Sequence, residues 1–305
     1  MATHIGTANN VPQLLKNVIT FLTNPVNFSG GNQWKLVAPL TINDIADEVI
    51  LKGVGDGQDD IYIGFKLSYQ DAGQVDIVIN GYAGYDPGLT WREQPGGIPH
   101  ATLPTIPLVD DSFMTYWISA NAQRIILVVE LSTQYESAYI GLMNPIAIER
   151  QYPYPLVIGG SYYEGGKWTD TTWGHSCFVN PGGSTAATSL RVRRPDGVWR
   201  VGLNWNGNAL APLAPLCVWP TNVAPVRTVT VYDPVLTLEN VVMYPFLLYE
   251  NDPVGIIGQF DGVYWVGNRE DIATKDTITY GGKTYKIFNN VQRRDNDQYF
   301  AIEWS

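Results

Sequence analysis

At 305 residues with a formal net charge of −10, the chain is long enough for a large core and too acidic for the basic footprint that nucleic-acid backbones demand. Charged residues make up only 16% of it, against roughly a quarter in an average globular chain, while 45% are hydrophobic, so its surface must be poor in charge. Thirty glycines, twenty prolines, ten Trp, eighteen Tyr and nine Phe favour turns and pleated sheet over long helices.

No stretch approaches the ~18 consecutive apolar residues of a membrane span, and the first twenty residues lack the pattern of a secretory signal. The expectation is a soluble chain, not inserted in a membrane, that stays where it is made. Cys177 and Cys217 are too few for a disulfide framework and lie in no metal-ligand spacing, so both are read as buried thiols.

The first clear element is a helix. Val11, Leu14, Leu15, Val18 and Leu22 share one helical face, Asn10 can cap it, Pro12 suits its first turn, and Asn24-Pro25 ends it. It is the one convincing amphipathic helix, and it either packs over a sheet of its own domain or docks on a neighbouring subunit. The residues before it, including His4, are read as a mobile tail.

Strand signals follow at Trp34–Val37, Glu48–Lys52, Ile61–Leu67 and Gln74–Tyr82. The glycines between Gly53 and Asp60 resemble a phosphate loop only superficially, because a strand and not a helix comes next. A Ca²⁺ loop is disfavoured by the lack of alternating acids and of a closing Glu. Ala83 to Leu108 reads as one long loop with Pro87, Pro95, Pro99, Pro104 and Pro107, and a loop of that length suggests a contact role.

Arg124–Leu131 is the longest nearly uncharged apolar run. Its β-branched residues and short length predict a central strand buried on both faces. Tyr139–Met143 is the next strand, stopped by Asn144-Pro145. Gly159-Gly160 begins a glycine-rich texture, which places a soft domain boundary near residue 158, between a β domain over 1–158 and a second over 159–305.

Beyond it, Ser189–Arg193 and Val198–Trp205 flank a Pro-Asp-Gly turn, with Trp199, Val201, Leu203 and Trp205 on one face. Arg227–Tyr232 and Asn240–Tyr249 are further strands. Asp276–Tyr280 and Thr284–Phe288 form a hairpin about Gly281-Gly282, and Gln298–Trp304 closes the chain. The fold expected is mainly β, with antiparallel sheets or sandwiches and one N-terminal amphipathic helix. No internal repeat supports a solenoid or propeller.

There is no G-x-S-x-G, S-x-x-K, H-E-x-x-H or C-x-x-C, so no catalytic, cofactor-binding or metal-binding residue is expected. His175 and Cys177 lie two apart, without an orienting third group. Asp59-Asp60 and Asp110-Asp111 are adjacent residues that point in opposite directions in an extended chain, which suits turns better than two acids flanking a glycosidic bond.

Several blocks nevertheless carry a likeness: Asp60–Phe65, Gly81–Asp86, Tyr116–Ile126, Ser132–Gly141, Tyr152–Gly160 and Gly258–Val266. In these blocks the chain resembles a family of structural proteins encoded by tailed bacteriophages and prophages, usually among tail or baseplate genes. They cover 51 of the 305 residues, about a sixth of the chain, and residues 165–230 carry none of it. The resemblance implies a non-enzymatic virion subunit of the tail, baseplate or neck, assembled in the host cytoplasm and contacting other virion proteins, as a homo-oligomer or ring. The low-charge surface suits such burial by neighbours.

The interface residues expected on that reading are Leu14, Leu15 and Val18 of the helix and Tyr85, Pro87, Trp91, Pro95, Pro104 and Pro107 of the long loop. Two rivals stand beside it. A glycan-binding module of a phage fibre would stack sugars on Trp168, Trp173, Trp199 or Trp205, and a cell-wall glycosidase would need paired acids from distant strands.

Overall fold

The computed structural model describes residues 1–39, 41, 46–54, 60–70, 73–99, 102–146, 155–170, 175, 177–178, 189–194, 196–201, 216–219, 243–251, 254–267, 272–291 and 299–305, with the backbone alone at 201, 216, 217, 219, 249–251 and 254. The strand expected over 227–232, Trp173, Leu203, Trp205 and the Cys217 side chain lie outside them.

The chain opens with β1 (Ala2–Ala8), helix α1 (Val11–Thr23), β2 (Lys35–Ala38), β3 (Glu48–Val54), β4 (Asp60–Tyr69), β5 (Gln74–Tyr82) and β6 (Pro104–Val109). It continues through β7 (Met114–Ala120), β8 (Arg124–Leu131), β9 (Gln134–Leu142), β10 (Asn144–Pro145), β11 (Leu156–Gly159), β12 (Tyr162–Tyr163), β13 (Leu190–Arg193) and β14 (Trp199–Val201). Last come β15 (Leu216–Trp219), β16 (Met243–Asn251), β17 (Val254–Val266), β18 (Thr277–Tyr280), β19 (Lys283–Asn289) and β20 (Tyr299–Glu303).

These strands form three antiparallel sheets. The middle sheet has the order β1-β7-β8-β9-β11-β13-β14. The helix-side sheet runs β12-β6-β5-β4-β3-β2, and the C-terminal sheet runs β15-β16-β17-β20-β19-β18 with β10 added against β17. The fold is mainly β, as expected.

The alternation of side chains along a strand fixes how the layers stack. On β8, Ile125, Leu127 and Val129 enter a core shared with the helix-side sheet and α1, whereas Ile126 and Val128 enter a second core shared with the C-terminal sheet. On β7 and β9 the same rule sends Tyr116, Ile118, Ala138 and Ile140 one way and Trp117, Tyr135 and Tyr139 the other. The apolar run at 124–131 is therefore central because its sheet is dry on both faces.

Local signals explain the termini of elements. Asn10 caps α1 by accepting the Gln13 N–H at 2.8 Å, and Asn24 and Pro25 stop it. In the β18–β19 hairpin, Gly281 and Gly282 have φ of 57° and 78°, the left-handed pair that a two-residue turn needs. Helix α1 contacts β1, β2, β5 and β7, so it covers its own domain.

Three expectations change. His4 belongs to a strand, β1, paired along its length with β7, and its ring stacks on Phe21 at 5.3 Å. The long loop ends earlier than expected, because Pro104–Val109 is β6, next to the rim of its sheet and flanked on one side only by the two-residue β12, where proline is tolerated. Strand β9 ends at Leu142, just before Asn144-Pro145 as expected, and that dipeptide pairs in addition with Gln259 and Gly258.

The boundary near residue 158 falls inside β11, which pairs with β9 on one side and β13 on the other, so the middle sheet crosses it. The Gly159-Gly160 pair marks close packing, not a linker. A Cβ on Gly160 would stand 2.6 Å from the Thr105 nitrogen, and one on Gly159 2.8 Å from Cys177 Sγ.

Candidate functional site: a pinned loop over the helix-side sheet

Paired residues of neighbouring strands share a face, so Glu48, Ile50, Gly64, Lys66, Asn80 and Tyr82 present the outer face of the helix-side sheet. The segment after β5, residues 83–99, folds back over it. Trp91 sits above Gly64, edge-on to Tyr82 with ring centroids 6.2 Å apart, and is only 4% exposed. Gly64 makes this possible, since a Cβ there would collide with Tyr82 and Trp91.

Hydrogen bonds hold the loop in one shape. The buried Gln94 amide donates to the carbonyls of Asp86 at 3.0 Å, Leu89 at 2.9 Å and Thr90 at 3.3 Å, while its Oε1 accepts the Asp86 N–H at 2.8 Å. Tyr82 Oη donates to the Trp91 carbonyl at 2.6 Å, the Asn80 Oδ1 accepts from Ile98 N–H at 3.2 Å, and Trp199 Nε1 donates to the Gly96 carbonyl at 2.8 Å. Arg92 forks onto both oxygens of Glu164 at 2.6 Å. With its backbone satisfied inward, the loop presents Pro87, Leu89, Pro95 and Pro99 outward.

Between the loop and the sheet lies an open groove of about 520 Å³. Tyr85, Leu89 and Thr90 form one wall, and Ala38, Pro39 and the Glu48–Lys66 ion pair form the other. Of the expected contact residues, Tyr85, Pro87, Trp91 and Pro95 therefore come together on one loop. Pro104 and Pro107 do not join them, being buried in β6 opposite Tyr163 and Asp76. Leu14, Leu15 and Val18 are buried in the chain's own core, which leaves nothing of them for a neighbour.

A second concentration of chemistry is interior. Glu136 of β9 accepts from Ser161 Oγ and faces His175 Nε2 at 2.9 Å, with all three residues fully buried. His175 Nδ1 lies 2.9 Å from the Asp170 carbonyl, which can only accept, so Nδ1 carries a proton. Burial pulls the imidazole down, but the Glu136 carboxylate and the Asp170 carbonyl outweigh it and leave His175 raised, as in an imidazolium–carboxylate pair.

Nearby, burial lifts Asp76 to about 7 despite the Gln74 amide at 2.9 Å, and Glu164 and Glu136 add to the rise. This cluster ties β9 and β5 to the segment after β12 and is closed to solvent. His175 is engaged there, and burial pushes the Cys177 thiol up to about 12, so neither is poised as a catalytic pair. Asp60 instead pairs with Lys52 at 2.6 Å, and Asp110 accepts the Val11 N–H at 3.3 Å.

Of the tryptophans considered as sugar platforms, Trp199 is buried and Trp168 packs half-buried against the first core. Among the described residues no group of three or more His, Cys, Asp or Glu could hold a metal ion. The residues missed at the sequence level are Gln94, Asn80 and Gly64, which build the loop without any periodic signature. No model of a known protein family matches the chain, and no curated protein is significantly similar to it.

Proposed function

We propose that the chain is a non-enzymatic structural subunit of a tailed-phage particle, in its tail, baseplate or neck, acting through contacts with other virion proteins. The observation that carries this reading is the loop over 83–99. Its backbone is fixed from within by Gln94, Asn80 and Tyr82, while its apolar tips, Pro87, Leu89, Pro95 and Pro99, face outward. A preformed loop loses little entropy when a neighbour covers it, which suits a permanent contact.

The resemblance to phage structural proteins supports the same reading, and its described blocks lie on or beside β4, β5, β7, β8, β9, β11 and β17, the strands that build the layers. A surface low in charge also fits a subunit covered by others.

The test is incorporation. Mass spectrometry of purified particles should find the chain, and replacing Asp86–Pro99 with a short Gly-Ser linker should give a folded chain that no longer incorporates. Absence from particles, or normal incorporation of the loop-less chain, defeats the proposal.

One observation favours a glycan-binding alternative, namely the groove beneath the loop, which Tyr85 lines together with Glu48, Lys66 and Thr90. Glycan binding that is lost in Tyr85→Ala would promote it.

A further inference from the structure

A strand at the rim of a sheet carries unpaired N–H and C=O groups, which proteins blunt by shortness, charge, proline or bulges. Most described rims here are blunted. Strand β2 has four residues, with Lys35, an irregular register between Leu36 and Ala38, and Pro39 directly after it. Strands β12 and β14 have two and three residues, the latter carrying Arg200. Strand β18 has four, with Lys286 Nζ on Thr277 Oγ1 at 3.2 Å, and β15 has four.

Strand β1 is different. Its seven residues, Ala-Thr-His-Ile-Gly-Thr-Ala, contain no Lys, Arg, Asp, Glu or Pro, and they pair with β7 in one unbroken register. Among the described residues, the one group outside that ladder that bonds its backbone is the Asn17 amide, which donates to the Thr7 carbonyl at 3.2 Å and leaves that oxygen a second lone pair.

Its sequence is also nearly symmetric about Ile5. Thr3 and Thr7 flank Ile5 two residues away on either side, and Ala2 and Ala8 lie three away. An antiparallel copy laid along this rim with Ile5 opposite Ile5 sets Thr against Thr, Ala against Ala and the bulky His4 against Gly6. No like charges meet. Ile5 is 49% exposed, and alternation puts it on the face away from His4, which packs on α1, so the helix does not stand between the two isoleucines.

We infer that β1 is a self-pairing rim. Two copies of the chain join antiparallel across a two-fold axis at Ile5, making one continuous sheet from two seven-stranded ones. A single strand pair buries little area, so the dimer is weak in free solution and is reinforced wherever copies are held close together. This pairing goes beyond the assembly reading and is measured on the purified chain, whereas that reading is measured on particles, so either can fail alone.

Sedimentation equilibrium over a concentration series tests it. The wild-type chain should show a monomer–dimer equilibrium. Ile5→Lys and Ile5→Glu, each placing like charges across the axis, should weaken it at least tenfold, and an equimolar mixture of the two variants should recover it. A Thr3→Lys/Thr7→Glu double variant, whose opposite charges meet across the axis, should dimerise at least as tightly as wild type and guards against a folding defect at Ile5. A wild-type chain that stays monomeric, single variants that dimerise like wild type, or a mixture that stays monomeric would each overturn the inference.

Discussion

Arg124 of the middle sheet and Asp261 of the C-terminal sheet meet at 2.8 Å, Nε to Oδ2, and this pair ties two of the three layers together. The guanidinium is only 2% exposed and also donates to the Ser119 carbonyl at 2.9 Å. Asp261 further accepts from Asn121 at 3.0 Å and Asn144 at 3.2 Å, and its own N–H donates to Tyr139 Oη. Burial alone would raise the Asp261 carboxyl, but Arg124 and the two amides hold it below the ordinary carboxylate range.

Removing one partner leaves the other buried and uncompensated. Asp261→Ala should lower stability by about 2–4 kcal/mol in urea unfolding. Because the folded value is depressed, the wild-type contribution is complete above the unfolded carboxylate value and is lost as pH falls through the folded one. The difference between wild type and variant should therefore shrink in acid.

Gln94 fixes the loop without belonging to a strand. Gln94→Ala removes four hydrogen bonds and takes the partner from the Leu89 carbonyl and the Asp86 N–H, while the Asp86 and Thr90 carbonyls keep backbone donors, and most of the fold lies elsewhere. Hydrogen exchange should accelerate over 86–98 while the global melting midpoint moves little, a local cost of about 1–3 kcal/mol.

Gly64 sets how closely that loop lies on the sheet. Gly64→Ala should destabilise by about 1–3 kcal/mol through overpacking against Tyr82 and Trp91. In a Trp91→Ala background the same change should cost less, the remainder being the collision with Tyr82, and a double-mutant cycle reads the coupling.

The interior acid cluster predicts a slope with pH. Asp76 sits near 7 when folded and close to 4 when unfolded, so its protonated form favours the folded chain and that advantage is lost as pH rises through about 7. His175 adds to the same trend, because its raised value gives stability that is present in acid and lost as pH rises past it. Asp76→Asn should be the more stable chain at pH 8, by an amount on the order of 4 kcal/mol at most, and should flatten the dependence of the melting temperature on pH between 5 and 8.

Much of the architecture is legible in the sequence where local chemistry is unambiguous. The apolar run at 124–131, the capped helix at 11–23 and the hairpin about Gly281-Gly282 each announce themselves, because burial, capping and left-handed turns demand particular residues. Strand β1 does not, since Thr, His and Gly alternate there without an apolar face. Strand β6 is masked by Pro104 and Pro107, which its place near the rim tolerates.

Gly159-Gly160 misleads for a related reason. Glycine serves a linker and a tight approach between layers equally well, and only the position of Thr105 distinguishes them. The loop site was half legible. Tyr85, Pro87, Trp91 and Pro95 stand out by composition, whereas Gln94 acts through a local net of backbone groups that no periodicity marks, and Gly64 through Tyr82 and Trp91, which lie farther along the chain.

The middle sheet gives one face to each of two cores, so neither end of the protein can be trimmed away as a spare part. A fragment lacking the C-terminal strands would leave Trp117, Ile126, Val128 and Tyr139 bare to water, and it should clump during expression instead of settling into a smaller folded piece. Proteases can nick such a molecule at its loops, but whatever dismantles it must dismantle all of it.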